Sequence, residues 1–269
     1  HLLYSRFWHK VLFDLGYVSS KEPFKRLVNQ GLILGEDGQK MSKSLGNVVN
    51  PDEVVNEYGA DSLRLFEMFM GPLQDVKPWS TKGVEGVYRF LNRAWRMYVE
   101  EDGSLNNSIK DISLTVDQEK LLHQTIKKVT GDIETLNFNT AISQMMIFLN
   151  EFSGLENKPR SALDKFILLL SPFAPHFAEE IWEKLGNKNS LAYESWPKYE
   201  EDKTKENVVE MVIQVNGKIR ARYPLPINMI EEEVKKIAFS NEAVQKYLEA
   251  KQIVKIIFVQ NKLINVVVK

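Results

Sequence analysis

The stretch "VVEMVIQVNGKIRARYPLP", residues 208–226, decides the fold, because there the spacing of apolar residues changes from a helical period to a period of two. Met211, Ile213 and Val215 fall on one side of a strand, and the Asn216-Gly217 pair suits a tight hairpin turn. A strict two-residue loop would pair Ile213 with Arg220 and mix apolar and basic residues on one face. An odd-length loop instead pairs Val215 with Ile219, Ile213 with Ala221 and Met211 with Tyr223. That arrangement leaves one apolar face and sets Arg220 and Arg222 together on the other, so the odd loop is predicted. Beyond it, "EEEVKKIA" and "NEAVQKYLEA" read as helices and "KIIFVQNKLINVVV" as a closing hairpin. Residues 207–269 therefore form a small ββααββ module of about 65 residues, near the lower size limit for an independent core.

Working back from that module, residues 191–206 read as a polar linker and residues 81–190 as helical throughout. "VEGVYRFLNRAWRMYVEE", "TVDQEKLLHQTIKKVTGDIETL", "NTAISQMMIFLNEF", "RSALDKFILLLSPF" and "PHFAEEIWEKLG" place apolar residues three and four apart, with Asn139 and Ser161 as N-caps and Gly186 as a C′ residue. Short connections imply an up-and-down bundle. In residues 1–80, "NPDEVVNEYG" is a punctuated helix: Asn50 caps, Pro51 opens, Asp52 and Glu53 favour the positive end and Gly59 closes. Asp61 is expected to cap the next helix, and Asp61 with Arg64 to make a helix–loop ion pair. The five tryptophans are assigned to core or interface, and His176 to a structural role near a helix start. The first residues, "HLLYSRFWHKVLFDLGY", open at once as an amphipathic helix without an N-cap, as expected of a chain cut from something longer.

With 43% hydrophobic and 26% charged residues and a net charge of -1, the composition is that of an ordinary folded domain or set of domains. No apolar run approaches the roughly 20 residues needed to cross a bilayer, so no membrane association is expected. There is no cysteine, which excludes disulfides, thiolate catalysis and cysteine-ligated metal within the chain and fits a cytoplasmic location. Charge is uneven: from Asn207 onward ten basic residues face six glutamates, against 25 basic and 30 acidic residues before it. A basic terminal module on a mildly acidic body points to a polyanionic partner.

The remaining feature is "GEDGQKMSKSLGN", residues 35–47, a glycine-flanked loop carrying Lys40 and Lys43. Two lysines three residues apart on such a loop can both reach one triphosphate while backbone N–H groups approach it. A pentavalent phosphoryl group would gain most, because its charge is spread over more oxygens. Gly46 and Asn47 shape the loop.

"KMSKS" (40–44) resembles the signature of the class I aminoacyl-tRNA synthetases, and "NPDEVVNEYGADSLRLF" follows it at that family's spacing. "SPFAPHFAEEIW", residues 171–182, resembles the hallmark of the helical tRNA-binding domain shared by the leucyl, isoleucyl, valyl and methionyl enzymes. The 208–226 hairpin and the closing "VQNKLINVVV" resemble the C-terminal domain of the bacterial leucyl branch, so the likeness covers essentially the whole chain. The isoleucyl branch would end in a cysteine zinc module and the valyl branch in a coiled coil. The short run from Leu34 to Lys40 lacks the domain that some leucyl enzymes insert there. H-x-G-H, the family's other signature, cannot be built from histidines 1, 9, 123 and 176.

The resemblance implies a mainly α chain with a small α+β C-terminal domain: the end of a Rossmann-type catalytic domain (1–80), a helical bundle of the anticodon-binding type (81–190) and a tRNA-elbow module (207–269). It implies a monomeric ligase that activates leucine with ATP and Mg2+ and transfers it to leucine tRNA, this part alone being inactive. Lys43 and Lys40 would be catalytic and contact ATP with Met41, Ser42 and Ser44. Lys218, Arg220 and Arg222, and Arg89, Arg93 and Arg96 on one helix face, would contact tRNA. The competing reading is a stand-alone RNA-binding module, which has no use for an ATP loop.

Overall fold

The computed structural model describes residues 1–205, 208–249 and 251–269, and it divides into two compact units, His1–Glu200 and Glu201–Lys269. The expected start of the terminal module at Asn207 falls outside the described residues.

The first unit begins with α1 (Tyr4–Asp14), which buries no residue and has no side-chain cap. Arg6 and Lys10 both reach the Glu22 carboxylate, at 2.8 and 3.1 Å, and hold its pKa down to about 2. A two-residue strand, β1 (Ile33–Leu34), pairs in parallel with β2 (Lys77–Pro78). Gly31, just before β1, lies so close to the incoming chain that a Cβ there would stand 1.8 Å from the Asp75 carbonyl oxygen. Gly31→Ala must therefore push two backbones apart. It is expected to cost about 1–3 kcal/mol, read as a lower midpoint in thermal unfolding.

Helices α2 (Pro51–Tyr58) and α3 (Ala60–Phe69) follow, and Asn50 caps α2 by accepting from the Asp52 N–H at 3.1 Å, as its punctuation predicts. The bundle is built from α4 (Thr81–Tyr98), α5 (Val116–Glu134), α6 (Phe138–Ser153), α7 (Arg160–Leu170) and α8 (Pro175–Lys184). Thr115 and Gln118 form a capping box on α5, and Gly186 at φ +91° closes α8. The caps expected at Asn139 and Ser161 are not used. Leu136 turns at φ +62° and starts α6 at Phe138, while β4 (Lys158–Pro159), paired with β3 (Ile109–Lys110), runs straight into α7. Fully buried Phe148 stacks on Phe152 and Phe166, with centroids 4.0 and 4.7 Å away, and buried Tyr98 donates to the Leu163 carbonyl at 2.9 Å. One apolar core runs from Leu65 and Phe66 on α3 through Val84 and Phe90 on α4 to Ile181 on α8, so the segment after the lysine loop and the bundle share an interior.

The second unit places β5 (Val208–Val215), β6 (Lys218–Pro226), β7 (Ile253–Val259) and β8 (Leu263–Val268) in one sheet of order β6-β5-β8-β7. β5 and β8 are parallel and the two hairpins antiparallel. Helices α9 (Glu231–Ser240) and α10 (Glu242–Leu248) bury Val234, Ala238 and Val244 against Ile213, Ile264 and Val266.

The hairpin register corrects the odd-loop expectation near the turn. Asn216 (φ +51°) and Gly217 (φ +76°) make a two-residue turn, and Val215 pairs with Lys218. The odd residue is taken up lower down by a bulge between Ile213 and Gln214, after which Ile213 faces Ala221 and Met211 faces Tyr223. Asn216 fixes the turn by exchanging two hydrogen bonds with the Val268 backbone, at 3.1 and 2.9 Å.

Candidate functional site

The lysine loop is ordered by its own short side chains. The Gly35 N–H donates to the Gln39 carbonyl at 2.8 Å and the Gly38 N–H to the Gly35 carbonyl at 2.9 Å, with Gly38 at φ +74°. This tight turn returns the chain so that Leu34 bridges Lys40. Ser42 then caps a single 3-10 turn, Lys43–Leu45, by accepting from the Ser44 N–H at 3.3 Å, and Gly46 ends it in the left-handed region. Met41 packs against the edge of the large core and anchors the loop. Lys40 and Lys43 are exposed, and neither ammonium has an ion-pair or hydrogen-bond partner among the described residues. Two unopposed positive charges on a pinned backbone are suited to a mobile polyanion.

Asp61 and Arg64 do not pair with each other. Asp61 Oδ2 accepts from the Phe177 N–H at 2.6 Å, and Oδ1 lies 2.9 Å from His176 Nδ1. Arg64 donates to the carbonyls of Pro172 at 3.0 Å and Phe173 at 3.4 Å. The cap expected for α3 is thus placed on α8, whose own N-cap residue, Ala174, has no side-chain oxygen. The sequence segments 59–64 and 171–177 recognise each other and clasp the segment after the lysine loop to the bundle.

Arg89, Arg93 and Arg96 are all exposed on α4, the shared face that their spacing predicts. Each is steadied locally: Arg89 lies 3.7 Å from Glu85, Arg93 donates to Asn150 Oδ1 at 2.7 Å and Arg96 to the Asn92 carbonyl at 3.3 Å. In the second unit the expected trio is divided. Lys218 is exposed beside the turn, and Arg222 pairs with Glu210 at 2.6 Å. Arg220, carried by the bulge, lies with its guanidinium 3.6 Å from the Tyr247 ring on α10, and its buried Nε has no hydrogen-bond partner.

The loop also uses two residues that sequence pattern does not mark as site residues. Glu36 reaches Thr81, 45 positions away, and no local pattern announces that contact. Asn47 holds Ser42 and Asp37, a role visible in sequence only as loop shaping. Of the tryptophans, Trp79 and Trp182 are buried, while Trp8 on α1 is 62% exposed. No helix among the described residues is long and apolar enough to cross a membrane.

With this geometry in place, comparison with known proteins is direct. Residues 119–256 match the anticodon-binding domain of tRNA ligases, and residues 4–78 match the class I tRNA synthetases of the isoleucyl, leucyl, methionyl and valyl group. The chain belongs to the tRNA-ligase family that this anticodon-binding domain defines. It is 55% identical over 268 residues to the leucine–tRNA ligase of Leptospira biflexa serovar Patoc, in each of two strains. That alignment covers all of this chain and 31% of the relative, so the chain spans about a third of the length of the curated proteins it matches. Among solved structures it resembles the agnB2 LeuRS of Agrobacterium radiobacter K84, crystallised as a ternary complex with tRNA and LeuAMS. The TM-score is 0.70 and the identity 33%, over all of this chain and 37% of that one.

Proposed function

We propose that this chain supplies the lysine loop and the tRNA-binding domains of a leucine–tRNA ligase. The observation that carries the reading is the pair of unopposed lysines on a pinned loop, on a chain whose helical domain belongs to the tRNA-ligase family. Residues 1–80 would complete a Rossmann-type catalytic domain, 81–190 would lie beside the tRNA stem and 207–269 at its elbow, in a cytoplasmic monomer. In the reaction the leucine carboxylate attacks the ATP α-phosphate, the bond to the β-phosphate breaks and pyrophosphate leaves. A 3′-terminal ribose hydroxyl of leucine tRNA then attacks the leucyl carbonyl of the adenylate, the bond to the phosphate breaks and AMP leaves.

The loop's residues fit ATP. Lys43 and Lys40 would neutralise charge gathering on the phosphates, while Ser42 and Ser44 hold the turn and Met41 anchors it. Magnesium is different. Among the described residues no three acidic or histidine side chains gather to hold a metal, so no step of this chain's own is assigned to Mg2+.

The tRNA reading is tested by binding of the chain to leucine tRNA and to valine tRNA across a salt series. Leucine tRNA is expected to bind more tightly, with affinity falling steeply as salt rises. Lys218→Ala should reduce the log–log salt slope by about one, the signature of one lost phosphate contact. Arg222→Ala should do the same to a smaller extent, because Glu210 already occupies its guanidinium. Equal binding of the two tRNAs would refute the leucine assignment.

A further inference from the structure

We propose that Glu36 and Asn47 are positioning residues that clamp the lysine loop at two points, one inside the loop and one onto helix α4; the functional part of this inference rests on the loop's reading as an ATP loop. Inside, Asn47 Oδ1 accepts from the Ser42 N–H at 2.8 Å. Its Nδ2 donates to the Asp37 carboxylate at 3.2 and 3.3 Å and lies 3.4 Å from the Lys40 carbonyl. One amide thus ties together the two lysine-bearing halves of the loop. The side-chain amide suits both contacts, because its oxygen accepts from Ser42 while its NH2 donates to Asp37. The clamp also explains the glycine at 35, where a Cβ would come 2.7 Å from Asp37 Oδ1 and 2.9 Å from Asn47 Nδ2.

Outside, Glu36 Oε1 accepts from both the N–H and the hydroxyl of Thr81, at 2.9 and 2.8 Å. Thr81 is the first residue of α4, so the carboxylate sits at the positive end of that helix. The two Thr81 hydrogen bonds hold the Glu36 carboxyl below the usual carboxylate range. The hydroxyl of Thr81 in turn receives the Trp79 indole N–H at 3.3 Å, and the Trp79 N–H donates to the Leu34 carbonyl at 2.9 Å. A closed circuit therefore runs from β1 through Trp79, Thr81 and Glu36 back to the loop. α4 also carries Arg89, Arg93 and Arg96, so the loop is fastened to the helix whose exposed face bears the arginine row.

Glu36 is exposed and Asn47 half-buried, and neither belongs to the apolar core, which separates their effect from global stability. Trypsin cuts after lysine, so cleavage at Lys40 and Lys43 in the 269-residue chain reports directly on how often the loop opens. Asn47→Asp, which loses the donor and faces Asp37, and Glu36→Ala should each speed that cleavage about tenfold with the thermal midpoint unchanged. Glu36→Gln, which keeps an acceptor for Thr81, should restore most of the protection. In leucine-dependent ATP–pyrophosphate exchange by the whole ligase, the same two variants should raise KM for ATP about tenfold and leave KM for leucine alone. Unchanged cleavage in both variants would overturn the clamp, and faster cleavage with unchanged KM for ATP would overturn its positioning role. Failure of the ATP-loop reading has a separate mark, which is exchange indifferent to Lys43→Ala.

Discussion

Asp61→Ala is expected to lower the thermal midpoint of the first unit by about 5–10 °C, corresponding to a loss of about 2–3 kcal/mol. Asp61 is only 8% exposed, and both of its oxygens are engaged by residues more than a hundred positions away. Helix α8 opens with Ala174 at its N-cap, so the Phe177 N–H has no local acceptor and depends on Asp61. Removing the carboxylate costs a cap, a favourable charge at a helix N-terminus and the partner of His176 together. Asn at position 61 keeps one acceptor and should recover about half of the loss. Arg64→Ala removes an exposed hydrogen bond to the Pro172 carbonyl at 3.0 Å and a long, part-buried one to the carbonyl of buried Phe173 at 3.4 Å, and should cost about 1 kcal/mol. Differential scanning calorimetry of the three variants decides the matter. If Asp61→Ala were no worse than Arg64→Ala, the carboxylate would not be capping α8.

Asp61 also shows what a sequence can and cannot announce. An acidic residue in the first turn of a helical pattern reads as a cap for that helix, because helix propensity and capping are local. Its actual partner is 116 residues away, and nothing in the neighbourhood of Asp61 encodes that distance. The elements themselves were legible. The helical periods of α4 to α8, the punctuation of α2 and the strand–strand–helix–helix–strand–strand order of the second unit all follow from spacing. The hairpin was legible in part, since the pairing of Ile213 with Ala221 and Met211 with Tyr223 satisfies the demand for one apolar face. That demand conflicts with the two-residue turn that Asn216-Gly217 prefers. The chain resolves the conflict with a bulge, and pattern reasoning by itself forces a choice between the two. The cost of that choice fell on Arg220, which the bulge sends to Tyr247 and away from Arg222. The lysine loop was legible because its residues are contiguous, and Glu36 was not because its partner is Thr81.

Lys43→Ala in the whole ligase is expected to lower leucine-dependent ATP–pyrophosphate exchange by about 10²–10³-fold. The magnitude follows from where the ammonium stands in the absence of nucleotide. Lys43 is exposed and free of any partner among the described residues, so no existing ion pair must break before it meets a phosphate. Its attraction to ATP in the ground state is screened by water. Its attraction to the pentavalent phosphoryl group, inside a closed site, is screened far less. The loss should therefore appear mainly in kcat, with a smaller change in KM for ATP. Lys40→Ala should be milder, because Lys40 leaves the bridge with Leu34 at the edge of the turn while Lys43 opens the 3-10 turn that Ser42 caps. Arginine at 43 keeps the charge but replaces a compact ammonium with a planar fork, and should recover only part of the rate. Neither alanine variant should change the thermal midpoint or the affinity for leucine tRNA, since the side chains support no packing and the basic residues proposed to meet tRNA lie on α4 and β6. A Lys43→Ala enzyme with normal exchange would show that the two free lysines have another use, and the case for an ATP loop would fall with it.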